Sequence, residues 1–390
     1  MAKSPNGFGN IRKKVVNGKT YYEGRYTDPI LHKQKSVSAP TQKECREKLM
    51  KVLSKIEQGV YVAPNNKKIR EWATEWVEKK MDIKDGTRVL YRSVIATHII
   101  PELGNVQLKE LRPIHCQEFV RILSKKTSPT TQKPISAKSI KNIVGILHSM
   151  LDDAKRLELI ATNPADAVEL PKAVKKEIKV ILDDDQNAFT DAIRGHALEN
   201  LFIVAMHTGA RMSEVLGMTW KNIKLDDGEI KINAQLQRAR TEDMKRTLVS
   251  TKTNNHRTVI VPQFVVDALR DEKRKQAERR IQAGELWDND LGLVFTREDG
   301  SPIPHTTVSN AFKRIATIIG RPDLSFHALR HTYATEEIAS GTDPKTVAST
   351  LGHSTVQMTM DVYATAVSET KKASAERRQQ QFAKGKNISG

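Results

Sequence analysis

Cysteine is almost absent, with Cys45 and Cys116 the only two in 390 residues. That excludes a disulfide framework and a cysteine-rich zinc module, and it suits a reducing compartment. Long hydrophobic runs are missing too. No segment approaches the ~18 apolar residues of a membrane span, and no polybasic stretch flanks one. The segment Met1 to Asn10 lacks the apolar core of a signal peptide, so the expected compartment is the cytosol. Internal repeats and low-complexity tracts are absent. Acidic residues are outnumbered: 46 Asp and Glu stand against 64 Lys and Arg, a net +18. Such an excess suits a polyanionic partner, because cationic side chains displace the counterions condensed on nucleic acid. The length allows two or three domains.

Residues 1–60 carry 13 Lys and Arg against 5 Asp and Glu, a net +8. Within them Val15 to Tyr22 reads as a hairpin, since Asn17-Gly18 suits a two-residue turn that needs positive φ. A third strand is expected through Lys35 to Ser38. Thr41 and Glu44 then form a capping box ahead of Cys45, Leu49, Val52, Leu53 and Ile56 at helical spacing. Tyr61 to Lys68 reads as a linker. Residues 67–170 read as an all-α bundle of four helices. Their faces are Ile69, Trp72, Ala73 and Trp76; Leu90, Val94 and Ile95, stopped by Pro101 and Gly104; Phe119, Ile122 and Leu123 after Pro113; and Ser136 to Ala154. Asn163-Pro164 ends the bundle, and Pro171 to Lys179 is a charged connector.

In the second half, the helix through Leu198, Leu201, Phe202 and Ala205 breaks at Thr208-Gly209, and a new one starts. This puts Arg211 on the first turn of that helix, off the stripe of Met212, Val215 and Leu216, where its fork can reach a phosphate. Leu225 to Ile230 signals one hairpin, and Lys252 to Pro262 a second, with Lys252 at its tip. Lys245 is the alternative lysine in that charged stretch. His327 and Arg330 share a helix face that Ser325 can cap. Asp343-Pro344 opens a short helix that Gly352 closes, leaving His353 at a junction. A last helix carries Val356, Met360 and Tyr363 on one stripe, and the periodicity alone makes Tyr363 a core residue. His327 and His331 have the spacing of a zinc pair, with His353 as a third ligand, but Ala328 stands where a zinc-protease helix carries Glu.

Arg211, Lys252, His327, Arg330, His353 and Tyr363 occur in one order, Tyr363 following His353 by ten positions. Together with Thr208 to Glu214, Thr251 to Arg257, His327 to Thr332 and Leu351 to Ser354, they resemble the tyrosine recombinase (phage-type integrase) family across the whole second half of the chain. The resemblance implies a multidomain α+β protein. Its parts would be a β-β-β-α arm-binding domain over 1–60, an all-α core-binding bundle over 67–170, and a mainly α catalytic domain with a small antiparallel sheet over 177–390. A basic tail from Thr370 to Phe382 would pack on a neighbouring protomer.

The implied activity is site-specific recombination that integrates or excises a mobile element or prophage. Tyr363 would attack a phosphodiester to give a 3′-phosphotyrosyl link and a free 5′ hydroxyl, with Arg211 and Arg330 as the clamp. A phenol of reference pKa about 10 is barely ionised at neutral pH, so two guanidiniums that favour the phenolate have a clear task. Lys252 would protonate the leaving oxygen, His327 relay the phenol proton and His353 bond the phosphate. One phosphoester replaces another, so neither ATP nor a metal is expected, and no cofactor. The implied partners are double-stranded DNA at core-type and arm-type sites, three further copies of the chain, and an accessory DNA-bending or directionality factor. The place would be the bacterial cytosol and nucleoid. Two rivals are a non-catalytic DNA-binding regulator on the same scaffold and a type IB topoisomerase-like strand relaxer.

Overall fold

The structure, a computed structural model, describes residues 11–16, 18–29, 32–58, 66–81, 83–128, 132–172, 178–181, 183–237, 246–250, 256–353 and 355–364. The chain divides into two units, Met1–Lys175 and Lys176–Gly390. No helix among the described residues is long and apolar enough to cross a membrane.

The first unit opens with an antiparallel sheet of β1 (Ile11–Val16), β2 (Lys19–Thr27) and β3 (Gln34–Ala39), in that order. Gly18 supplies the positive φ of 74° that the turn between β1 and β2 requires. Helix α1 (Gln42–Glu57) begins at Thr41, whose hydroxyl accepts from the Glu44 backbone N–H at 3.3 Å. It lays Cys45 and Leu49 against the sheet, where Gly24 has no side chain to obstruct Leu49.

A helical bundle follows. Its elements are α2 (Ile69–Lys79), α3 (Asp85–Val94), α4 (Ile100–Leu103), α5 (Pro113–Lys125) and α6 (Ala137–Arg156). Trp72 and Trp76 from α2 meet Ile143, Leu147 and Met150 from α6 in one core. The Trp72 indole donates to the Met150 carbonyl at 3.0 Å, and the Trp76 indole to Asp153 at 2.6 Å, so each buried N–H has a partner. Two details depart from the sequence reading. Pro101 does not stop the second helix: a wider π turn, Ile95–Ile99, shifts the carbonyls that the proline ring would crowd, and the chain continues as α4 to its cap at Gly104. Leu90, expected on the buried stripe, is exposed, whereas Ile95 and Ile99 of the π turn lie in the core.

The second unit is mainly helical: α7 (Asp183–Ile193), α8 (Glu199–Thr208), α9 (Met212–Leu216), α10 (Gln263–Ala283), α11 (His305–Ile318), α12 (His327–Ala339), α13 (Pro344–Leu351) and α14 (residues 356–364). Its centre is an aromatic cluster of Phe189, Phe202, Phe312 and Phe326, with centroids 5.9–6.2 Å apart in edge-on or tilted pairs. Strands β4 (Ile223–Lys224), β5 (Glu229–Ile232) and β8 (Arg257–Ile260) form one antiparallel sheet, and β6 (Ala234–Leu236) pairs with β7 (Leu248–Ser250). The second hairpin signal therefore does not join two mutually paired strands. It lies between β7 and β8, which belong to different sheets because each pairs with a strand on either side of Asn233.

The last helix also differs from its expected stripe. Val356 and Met360 are exposed, whereas Thr359 and Val362 are buried. Val362 packs with Ala334, Val347 and Leu351, and that contact turns the helix. The tail from Thr370 to Phe382 lies outside the described residues.

Candidate active site

Two helix C-termini and one helix N-terminus meet in the second unit. Helix α8 ends at Gly209 in the left-handed conformation (φ 59°), and α13 ends likewise at Gly352 (φ 66°). Such ends leave carbonyls without helical partners, and these attract cations. Arg330, one turn into α12 and 2% exposed, takes that role for both. Its guanidinium donates to the Gly209 carbonyl and to the Leu351 carbonyl, each at 2.8 Å. No carboxylate pairs with it among the described residues. Burial, and then the charge of Arg211, lowers its pKa to about 9, so it remains a cation at neutral pH.

Arg211 is the N-cap of α9 rather than a residue of its first turn. Its backbone N–H donates to Glu214 Oε2 at 2.9 Å and its Nη1 to Glu214 Oε1 at 2.9 Å, while Nη2 reaches the Gly352 carbonyl at 3.3 Å. The same Glu214 receives Arg257, Nη2 to Oε2 at 2.6 Å. Burial opposes ionisation of Glu214, but the Arg257 hydrogen bond and charge, with Arg211, hold its pKa below the usual carboxylate value. Arg211 and Arg330 thus hang from successive carbonyls at the end of α13.

The histidines lie around this pair. His327 begins α12 and stays accessible, while its ring meets that of His331 edge-on at 4.6 Å. Desolvation, then the charges of Arg330 and Arg211, lowers its pKa to about 4. His353 follows Gly352, and its Nδ1 shares a hydrogen bond of 2.8 Å with the buried Thr359 hydroxyl. Burial and the same two arginines lower its pKa to about 3. Both imidazoles are therefore neutral at neutral pH. Ser325 does not cap α12 with its side chain; its carbonyl accepts from the Ala328 N–H at 2.7 Å instead.

Tyr363 is half-buried on α14, four residues after Thr359 and hence on the same helix face as the residue that holds His353. Four of the six expected residues, Arg211, His327, Arg330 and His353, are thus gathered, with Tyr363 on the adjoining helix. Lys252 and its alternative Lys245 lie outside the described residues. The zinc arrangement finds no support in geometry. Among the described residues, the group with ligand atoms all within 4.8 Å is His148, Asp152 and Asp166 in the helical bundle, not the three histidines here.

The sequence reading met Glu214 and Arg257 only as the ends of motif segments, without a role, and did not single out Thr359. Arg211-x-x-Glu214 has the spacing of a capping box and could have been found. The contacts of Arg257 and Thr359 leave no local signal.

Residues 173–369 match the phage integrase family, and residues 68–124 match the N-terminal SAM-like domain of phage integrases. This chain belongs to the phage integrase family. It is a tyrosine recombinase, an enzyme of DNA strand breakage and rejoining. It is 28% identical over 372 residues to a XerC-like tyrosine recombinase of Caldanaerobacter subterraneus subsp. tengcongensis, covering 90% of this chain and 93% of that one. A Tn1549 transposon integrase solved with transposon right end DNA superimposes with a TM-score of 0.66 at 19% identity, over 80% of this chain and 99% of that one. A lambda integrase solved as a tetramer on a Holliday junction gives 0.53 at 17% identity, over 92% of this chain and 96% of the other. At these identities the two structures establish the integrase fold.

Proposed function

We propose that this recombinase is the integrase of a mobile element or prophage and works through a 3′-phosphotyrosyl intermediate on Tyr363. The observation that carries the reading is Arg330: a buried cation with no carboxylate partner among the described residues, beside a second arginine and two neutral histidines. A buried charge without a counter-ion is unfavourable, and a phosphodiester would supply the missing anion. Arg211 and Arg330 would bind its non-bridging oxygens and stabilise the charge that grows on phosphorus. The Tyr363 oxygen would attack in line, forming a bond to phosphorus as the bond to the 5′ oxygen breaks. His327, neutral and accessible, is fit to take the phenol proton. His353, fixed by Thr359, would hydrogen-bond the phosphate, and Lys252 would protonate the leaving oxygen.

In the same reading residues 1–60 bind arm-type sites, 67–170 clasp the core site and 177–390 perform the chemistry. Four protomers would act together, as the likeness to the lambda integrase tetramer supports, with an accessory bending or directionality factor.

Tyr363→Phe tests the nucleophile. On core-site DNA nicked so that the cleaved end diffuses away, wild type should accumulate a detergent-resistant protein–DNA adduct. The Phe variant should bind that DNA as well as wild type and form none. An adduct from the variant would move the nucleophile elsewhere.

A further inference from the structure

We propose that Arg257 is a positioning residue for phosphate activation: by occupying Glu214 it keeps the Arg211 guanidinium open to DNA. This rests on the reading of Arg211 as a phosphate ligand.

Arg257 is the first residue of β8, and its side chain, 7% exposed, crosses to the start of α9. Its Nη2 lies 2.6 Å from Glu214 Oε2 and its Nη1 3.3 Å from Oε1. Arg211 uses the same two oxygens, its backbone N–H on Oε2 at 2.9 Å and its Nη1 on Oε1 at 2.9 Å. A carboxylate offers about four lone-pair positions, and these four donors fill them. Arg211 consequently holds Glu214 by a single guanidinium N–H. With one more N–H on the Gly352 carbonyl, three of its five remain for an anion.

Removing Arg257 would vacate two positions on a buried carboxylate whose nearest cation is Arg211, three residues away. Arginine and carboxylate prefer the two-bond fork, so Arg211 would close onto Glu214 and present both fewer donors and less charge to the phosphate. Glu214 takes both hydrogen bonds of the Arg257 terminal nitrogens. The Arg257 Nε is buried without a partner among the described residues, and Gly352 passes so close that a Cβ there would lie 3.2 Å from the Arg257 Nη1. The absence of a side chain at Gly352 gives Arg257 its path to Glu214, beside the carbonyl that Arg211 uses.

The test is the rate of covalent adduct formation by the full chain on nicked core-site DNA. Arg257→Gln should slow it about 10²-fold, the scale for a reacting group displaced by an ångström, with DNA affinity little changed. Adding Glu214→Gln removes the charge that captures Arg211, so the double variant should be faster than Arg257→Gln alone. A merely structural role predicts the reverse, since a second buried partner is removed. A methylphosphonate at the cut position, which lacks the charged oxygen, should shrink the defect of Arg257→Gln. If Arg257→Gln is too unstable to purify, Arg257→Lys replaces it: one point contact should give a smaller defect with the same relief by Glu214→Gln. Wild-type rate in the single variants, or a double variant no faster than its single parent, overturns the proposal. Failure of wild type itself to form an adduct would instead overturn the phosphotyrosyl reading, and this inference with it.

Discussion

His327, His331 and His353 surround Arg330, and all three have pKa values lowered far below the usual 6.5, to about 4, about 4 and about 3. The first cause in each case is desolvation, followed by neighbouring positive charge. A histidine whose folded pKa is depressed stabilises the fold fully above its unfolded pKa and loses that contribution as pH falls towards the folded value. The DNA-free protein should therefore melt at progressively lower temperature between pH 6.5 and pH 4. His331→Gln should flatten that acid limb yet keep most adduct formation, because the proposed mechanism gives His331 no step, whereas His327→Gln should lose adduct. Thermal melts across pH with identical slopes for wild type and His331→Gln would contradict this account. The residues that carry the site were legible where their signal is local: the break at Thr208-Gly209 before Arg211, the three-residue step from His327 to Arg330, and the Gly352 stop before His353. Glu214 was half-legible as a capping carboxylate. Its second partner, Arg257, stands 43 positions away and only the fold joins them.

At the scale of elements, helix ends do the positioning. Helices α8 and α13 both finish on left-handed glycines, and the carbonyls at those ends fix Arg330. A substitution at Gly209 should accordingly affect fold and chemistry together. Its φ of 59° would strain an L residue by about 1–2 kcal/mol. An added Cβ would also lie 2.5 Å from the Leu351 side chain and 2.6 Å from the Tyr333 ring, an overpacking worth a further ~1–3 kcal/mol. Gly195 offers the control, with φ 73° and nothing within 4 Å of its Cβ position. In denaturant titrations Gly209→Ala should lose clearly more stability than Gly195→Ala, and it alone should slow adduct formation. Equal losses would mean that the close approach of α8, α12 and α13 is not what holds Arg330. Most helices were legible because caps and apolar spacing are local: Thr41, Ser136 and the Asp343–Gly352 pair mark starts and stops that the structure keeps. Strand partners were not. Which strand β8 joins depends on β5, and no turn signal next to Arg257 encodes that pairing. The π turn before Pro101 was equally hidden, since proline as a helix breaker and proline inside a widened turn look alike in sequence.

Across the whole molecule the charge is unevenly shared. The unit Met1–Lys175 has 33 Lys and Arg against 18 Asp and Glu, a net +15, and the unit Lys176–Gly390 has 31 against 28, a net +3. The unit that contains the arginine pair is thus nearly neutral overall. In the proposed reading its task would be to concentrate positive charge at one phosphate, and intrahelical ion pairs such as Arg274 with Asp271 and Glu278 balance part of the rest. In the proposed reading, long-range attraction to the DNA backbone would fall to the first unit, and residues 1–60 alone hold +8 of its charge. Their sheet carries Lys14 paired to Glu23 and Lys35 paired to Asp28, pairs that the net +8 already discounts. Deleting residues 1–60 should therefore make the salt dependence of binding to a full attachment site shallower, by about 0.9 in the logarithmic slope for every phosphate no longer neutralised. Adduct formation on an isolated core site should survive, because Arg211, Arg330 and Tyr363 all belong to the other unit, while recombination between full sites should fall. Filter-binding titrations over a range of salt concentrations read the slope directly. A slope unchanged by the deletion would mean that the +8 is a solvated surface, and the separate binding role of this segment would have to be given up.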